Sequence, residues 1–456
     1  MPCLVWMVVW GRHVASAIES SPSSAFLYTG RWNHSSGFSS FDAQGVEVGF
    51  RVAGAQAFSA RLALVADGAV WPPRMHTFVV LVDGTFVAAT EGPCATRGAR
   101  CTFAVSAERA AQVVRVALPR PNASVRLVSN TEPEWARPPV SGVEMRDYVK
   151  FYGVALEGPA ARFADRPRSR TRRIEFLGDS ITAGFCNLCA PYESSSQRAP
   201  RGLVEAHRRS RLEDGAFGGA AWRRQSVATS EREEAFTLSW PFLICEALDA
   251  ECSTTAWSGV GLTQNCCGGD VFAPELYRRT LATDPALTWD FSSWRPDALV
   301  VNLGTNDGAA AALPEYTATY LELLRNASHE YGAHLAVFLA CGPMSDAYCD
   351  PVRAVVAAAR ADNIVDAHFL DQRPFLNGSF GEPCCGHPSA EVDAAMASDA
   401  AAFIAETLGW APREVSSPLS QADGAPREHR DSAHSRAHPS RSPGPLDAHR
   451  QARFAT

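Results

Sequence analysis

Residues 173–184 read Arg-Ile-Glu-Phe-Leu-Gly-Asp-Ser-Ile-Thr-Ala-Gly, an apolar run of strand length that ends at Gly178-Asp179-Ser180 and continues in small, helix-compatible residues. A serine at the carboxyl end of a buried strand, on a turn that opens into a helix, stands where open α/β sheets place their ligands. Its hydroxyl is accessible there, and a helix amino terminus favours developing negative charge. That is a setting for a nucleophile in acyl transfer. The same residue suits a helix N-cap, where Asp and Ser are common. Taken alone, the segment supports both readings about equally.

A serine nucleophile needs a base to take its proton and preorganised donors for the oxyanion of a tetrahedral intermediate. Three later segments carry such groups. Ala256-Trp257-Ser-Gly-Val-Gly261-Leu-Thr-Gln-Asn265 follows a short strand-like run. Residues 297–307 form a buried-strand pattern ending in Gly304-Thr-Asn306-Asp307. Cys384-Cys-Gly-His387-Pro-Ser-Ala precedes an alanine-rich helical stretch. Ser, Gly, Asn and His in four ordered blocks resemble the SGNH (GDSL-like) hydrolase superfamily, over roughly residues 173–410.

The resemblance implies an ester hydrolase with Ser180 as nucleophile and His387 as base. The Ser180 N–H, the Gly261 N–H and the Asn306 side-chain amide would form the oxyanion hole, with no cofactor and no metal. Elimination among the 12 histidines points the same way. His429, His434, His438 and His449 lie in a polar tail, and His329, His334 and His368 flank or enter apolar runs. The superfamily usually places an aspartate three residues before the histidine, whereas this chain has Cys384 there. Glu382 and Asp393 lack the expected spacing, so the reading is a Ser180–His387 dyad whose imidazole is oriented by a main-chain carbonyl. Asp179 and Asp307 are expected to tie loops rather than to react.

The flanking text, Trp257 to Asn265, then Pro274-Glu-Leu-Tyr-Arg-Arg-Thr280 and Trp289-Asp-Phe-Ser-Ser-Trp-Arg-Pro-Asp297, resembles carbohydrate esterase family 2. That resemblance implies removal of O-acetyl groups from a xylan- or glucomannan-like polysaccharide. Trp257 and Asn265 are the candidate substrate contacts, against the reading that Trp257 and Trp289 are core aromatics. Two rivals stay open: an SGNH lipase or thioesterase on other acyl esters, and a non-catalytic carbohydrate-binding protein.

These residues need elements to position them. Downstream of residue 173, strand-like runs alternate with helical ones near 236–248, 314–329, 351–361 and 389–408, which predicts a mostly parallel sheet with helices on both faces. The superfamily resemblance makes this a three-layer, flavodoxin-like α/β domain over 173–411. Upstream, short segments at 46–52, 58–65, 77–82, 113–118 and 125–128 alternate in polarity between turn residues. They predict an antiparallel sandwich over 26–156, which family 2 would make a jelly roll. The arginine-rich stretch 157–172 is expected to be a solvated linker. Residues 191–234 form a Ser-, Arg- and Gly-rich insertion, and 412–456 a polar tail expected to be disordered.

A chain of 456 residues, 46% hydrophobic and 20% charged, can bury the cores of two domains. A net charge of −7 gives no support for nucleic-acid binding, and no apolar run reaches the ~18 residues of a membrane helix. A monomer acting on an acetylated saccharide is expected. Residues 1–20 are read as a leader, since Ala15-Ser-Ala17 resembles a signal-peptidase site; a truncated gene start is the alternative. Of 13 cysteines, Cys94/Cys101, Cys245/Cys252 and Cys341/Cys349 form close pairs. With sequons at Asn33, Asn122, Asn326 and Asn377, they favour an oxidising, secretory route. Cys186-x2-Cys189, Cys266-Cys267 and Cys384-Cys385 could form a zinc site, but disulfides stapling the catalytic loops are the favoured reading.

Overall fold

The structure, a computed structural model, describes residues 17–66, 75–89, 94, 101–107, 111–132, 147–188, 234–266, 268–378 and 386–411. The apolar start of the expected leader, nearly all of the 191–234 insertion and the 412–456 tail lie outside the described residues.

The amino-terminal half pairs its short strands into two antiparallel sheets of six and seven strands. One is centred on Ala57–Val65 and Tyr148–Glu157, the other on Glu47–Ala53, Ala123–Ser129 and Met75–Val82. The inward residues of the two sheets, among them Phe50, Phe58, Phe78, Val125 and Phe151, meet in one core. This is sheet-on-sheet packing of two faces that are each apolar on alternate residues.

The sandwich is wider than its sequence pattern. Ala17–Ser20, inside the expected leader, pairs with Tyr148–Glu157. Arg162–Phe163, inside the expected linker, pairs with Glu47–Ala53. Further along the basic stretch Asp165, Arg166, Arg168 and Ser169 are exposed, whereas two arginines are tied down. Arg170 donates to the Ala250 carbonyl and to Glu246, and Arg172 donates to the Leu248 and Ala411 carbonyls. Each guanidinium finds carbonyls or carboxylates on the neighbouring domain, which composition alone cannot reveal.

The carboxyl-terminal half is a five-stranded parallel sheet built from β1 (Arg172–Gly178), β2 (Ala250–Ala256), β3 (Ala298–Asn302), β4 (Ala336–Cys341) and β5 (Asp366–Asp371). Its strand order is 2-1-3-4-5, the flavodoxin-like order. A one-turn helix α1 (Ser180–Ala183) follows β1, and α2 (Trp240–Ala247) precedes β2. The short α3 (Ala273–Leu276) comes next, then α4 (Pro314–Tyr331), α5 (Cys349–Ala361) and α6 (Ala390–Leu408).

Both faces of the sheet are covered, so its strands read as apolar runs rather than as alternating ones. Leu177, Leu299, Val301 and Val337 pack with α4 and α5 residues such as Tyr320, Leu324, Val352 and Val355. Ile174, Phe176, Val300 and Phe338 pack on the other face with Trp240 and Ile244 of α2 and with Met396 and Ile404 of α6. The expected three-layer domain behind an all-β sandwich is the observed architecture.

Candidate active site

In a 2-1-3-4-5 sheet the strand order reverses between β1 and β3, and the crevice beyond their carboxyl ends is where ligands bind. Ser180 leaves β1 at this point and Asn306 follows β3. The turn at Ser180 is tight. A Cβ on Gly178 would lie 2.1 Å from Thr182 Oγ1, so only glycine lets β1 pass beneath α1. Asp179 is the N-cap, its carboxylate accepting the Ile181 N–H at 3.0 Å. The cap reading of the segment therefore falls on Asp179 and leaves the Ser180 hydroxyl uncommitted to the helix.

That hydroxyl lies 2.8 Å from His387 Nε2, across 207 residues of sequence. His387 follows Gly386, which has a positive φ of 78°, and precedes Pro388 and Ser389, the N-cap of α6. The Phe185 ring meets the imidazole edge-on at 4.9 Å between centroids. One side chain ties the two catalytic segments together. The Asn187 side-chain amide donates to Asp393 Oδ2 at 3.0 Å and to the Ala235 carbonyl at 3.1 Å, while the Asn187 main-chain carbonyl accepts from the Ala390 N–H at 2.9 Å. Asp393, in α6's first turn, is thus engaged with Asn187, and burial holds its carboxyl well above the usual range. Glu382 and Cys384 lie outside the described residues.

Asn306 sits against both neighbouring loops. Its amide donates to Asp179 Oδ2 at 3.2 Å and to the Val260 carbonyl at 2.8 Å. The next residue, Asp307, accepts the N–H groups of Leu262, Thr263 and Gln264 and the Thr263 hydroxyl. It organises the loop after β2 from the loop after β3. Around this corner three acidic residues are fully buried. Burial pushes Asp179 up to about 7, with Asp307 and Glu132 adding to the shift. Burial likewise raises Glu132 to about 7.

Three residues of the loop after β2 that the sequence singled out are engaged within the protein itself. The Gly261 N–H donates to Asn265 Oδ1 at 3.0 Å and so is not aimed at a substrate oxygen. Gly261 is a glycine for packing, since a Cβ there would lie 1.9 Å from the Gln264 carbonyl oxygen. Asn265 spends its side chain closing the same loop, accepting from Gly261 and donating to the Val271 carbonyl at 3.2 Å. Trp257 is only 3% exposed and belongs to the core beside Leu177 and Tyr277, so it offers no ring face to a sugar. Sequence spacing could not distinguish Gly261 from Gly259, two residues earlier with a φ of 80°, whose N–H no described residue accepts.

Cys94–Cys101, Cys245–Cys252 and Cys341–Cys349 are disulfides. Cys186 and Cys266, on the loops after β1 and β2, are disulfide-bonded as well and so are not thiolate ligands. Among the described residues no group of His, Cys, Asp and Glu is placed to hold a metal ion, and no helix is long and apolar enough to cross a membrane.

No protein-family model matches the chain. It is 28% identical over 272 residues to the cellulase/esterase CelE of Acetivibrio thermocellus, covering 58% of this chain and 28% of that protein. It is 26% identical over 264 residues to an acetylxylan esterase / glucomannan deacetylase of Cellvibrio japonicus, covering 55% of this chain and 62% of that one. The chain thus spans less than two thirds of the length of these curated relatives. A solved family two carbohydrate esterase from Clostridium thermocellum, in complex with cellohexaose, superposes with a TM-score of 0.63 at 23% identity, over 85% of this chain and all of that one. The curated relatives are thus named esterases, the solved neighbour is a family two carbohydrate esterase, and this chain shares that neighbour's fold.

Proposed function

We propose that this protein is a serine esterase that removes O-acetyl groups from a polysaccharide. The observation that carries the reading is the 2.8 Å contact between Ser180 Oγ and His387 Nε2 at the switch point of the sheet. A serine hydroxyl has no nucleophilic strength at neutral pH unless a base receives its proton as it attacks. His387 is within the distance at which that transfer occurs.

Ser180 Oγ forms a bond to the acetyl carbon and its proton passes to His387 Nε2. The carbonyl π electrons move onto oxygen, and this oxyanion is held by the Asn306 amide and by N–H groups of Ser180 and of the loop after β2. Gly259 replaces Gly261 as the backbone donor of that loop, since the Gly261 N–H is spent on Asn265. Collapse breaks the bond to the sugar oxygen, which takes the proton from His387. Water then attacks the acetyl-enzyme by the same route reversed, releasing acetate and restoring Ser180. A main-chain carbonyl on the second imidazole nitrogen fixes the ring tautomer in this scheme, and Asp393 stays with Asn187.

The substrate class rests on the relatives. One is named an acetylxylan esterase / glucomannan deacetylase, and the solved neighbour holds cellohexaose. Acetylated xylan and glucomannan are therefore the first substrates to offer. Disulfides at three close cysteine pairs support a secretory route for the protein.

The purified chain should release acetate from acetylated xylan or glucomannan, and Ser180→Ala should lower that release by roughly a thousandfold or more. Equal release by wild type and Ser180→Ala would refute the mechanism. Sugar binding without acetate release would favour a binding protein.

A further inference from the structure

The sandwich reaches the corner of Ser180: Gln44 donates to the Ala256 carbonyl at the end of β2, and Glu132 meets Ser258 just beyond it. The strand Ala123–Ser129 ends at Asn130-Thr131-Glu132, and these three residues are clamped from both domains. The Asn130 N–H donates to the Thr77 carbonyl and the Thr131 hydroxyl accepts the Thr77 N–H, both within the sandwich. Asn130 Oδ1 accepts the N–H and hydroxyl of Thr237 in the hydrolase domain. Glu132 therefore leaves a rigid base. Its own N–H donates to Glu234 at 2.9 Å.

Its carboxyl group is spent on a single residue. Glu132 Oε1 accepts the Ser258 N–H at 2.7 Å and Oε2 accepts the Ser258 hydroxyl at 2.5 Å. Glu132 is 2% exposed and Ser258 5% exposed, so both bonds are made out of water. Bonds to a carboxylate in such surroundings are short and strong, and a partner left without them is costly.

Ser258 is the second residue of the loop after β2. On one side Trp257 donates its N–H to the Gly178 carbonyl, one residue before Asp179 and two before Ser180. On the other side come Gly259, with its positive φ, and Val260, whose carbonyl holds the Asn306 amide at 2.8 Å. The two Glu132 bonds thus set the entry of a four-residue path, 257–260, that touches the Ser180 strand at one end and Asn306 at the other.

We infer that Glu132 of the sandwich domain is a positioning residue for acyl transfer, acting through Ser258 to place the Gly259 N–H and Asn306 around the oxyanion. The inference rests on the esterase reading above and adds that the sandwich completes the catalytic corner. Oxyanion donors act only where the oxygen will be in the transition state, so displacing them lowers kcat more than it weakens substrate binding.

The full chain is tested with p-nitrophenyl acetate. Glu132→Ala should lower kcat by about 10- to 100-fold with KM changed little, the size of loss that a roughly 1 Å misplacement produces. It should weaken inhibition by a trifluoromethyl ketone, whose adduct with Ser180 carries the same oxyanion, by a similar factor. Glu132→Gln keeps an acceptor for the Ser258 N–H and lets the hydroxyl reverse, so it should recover most of the loss. Ser258→Ala removes one of the two bonds without touching the sandwich and should lower kcat several-fold.

If Glu132→Ala does not fold, Ser258→Ala and Glu132→Gln decide the matter alone. Wild-type kcat in Ser258→Ala would overturn the inference, as would a Glu132→Ala defect confined to KM or to melting temperature. A wild-type chain that hydrolyses no ester would instead sink the esterase reading. An active wild type with an indifferent Glu132 would sink only this inference.

Discussion

Ser180 and Asn306 differ in how their side chains are committed. Among the described residues Ser180 is hydrogen-bonded to His387, which can take its proton, whereas both hydrogens of the Asn306 amide already have acceptors, Asp179 and Val260. The longer of the two, at 3.2 Å to Asp179, is the one that a developing oxyanion can displace at least cost. Asn306→Ala removes that donor and leaves the Val260 carbonyl without its partner. It should lower kcat on p-nitrophenyl acetate about a hundredfold, with the protein still folded by circular dichroism.

The loop after β2 is the element on which the site turns. Three N–H groups and a hydroxyl converge on Asp307, and Asn265 closes the other side onto Gly261 and Val271. Such a loop has little room to yield. Gly261→Ala puts a methyl group 1.9 Å from the Gln264 carbonyl oxygen, against backbone that the Asp307 bonds hold in place. It should cost activity and lower the melting temperature together. A variant as active and as stable as wild type would show that the loop relaxes freely. The helices behave differently. α4 and α5 pack through broad apolar faces on one side of the sheet, where single contacts matter less than the area covered.

Across the whole molecule, the two domains are joined by buried polar contacts rather than by an apolar seam alone. Arg31, from the sandwich, forms an ion pair with Glu175 of β1 at 3.0 Å and donates to the Tyr277 and Arg279 carbonyls. Tyr277 and Tyr331 both donate to the other oxygen of Glu175. Removing one member of such a pair leaves an uncompensated buried charge, so Arg31→Ala should destabilise the protein by about 3–5 kcal/mol, read from denaturant unfolding.

A second junction carries a pH signature. Asp42, also from the sandwich, accepts the Thr283 N–H and hydroxyl, each at 2.7 Å. Burial pushes its carboxyl up to about 6 from 3.8, so the folded protein binds that proton more tightly than the unfolded chain. Its favourable contribution is complete below about pH 4 and is lost as pH rises through about 6, by on the order of 3 kcal/mol. Asp42→Asn should therefore flatten the fall of the melting temperature between pH 4 and 7. An unchanged slope would show that Asp42 does not titrate in that range.

The sequence by itself determined the features that depend on neighbours along the chain. Apolar runs marked the parallel strands, alternation marked the sandwich, and the glycine-bounded turn at Gly178-Asp179-Ser180 marked the strand end. The three cysteine pairs closed at separations of seven and eight residues, where chain proximity favours pairing. His387 emerged from a family pattern and not from physics alone, because its partner lies 207 residues away.

Tertiary structure decided everything that depends on which distant group a side chain meets. The glycine type at 261 was legible, but whether its N–H faced a substrate or Asn265 was set by how the loop folds back. Trp257 looked equally apt for a sugar and for the core until packing buried it. Glu132 carried no signal at all in Asn130-Thr-Glu-Pro, since its meaning lies in Ser258, 126 residues on. Periodicity reports the local path of the backbone, whereas hydrogen-bond partners are chosen when separate elements pack and each buried donor must find an acceptor.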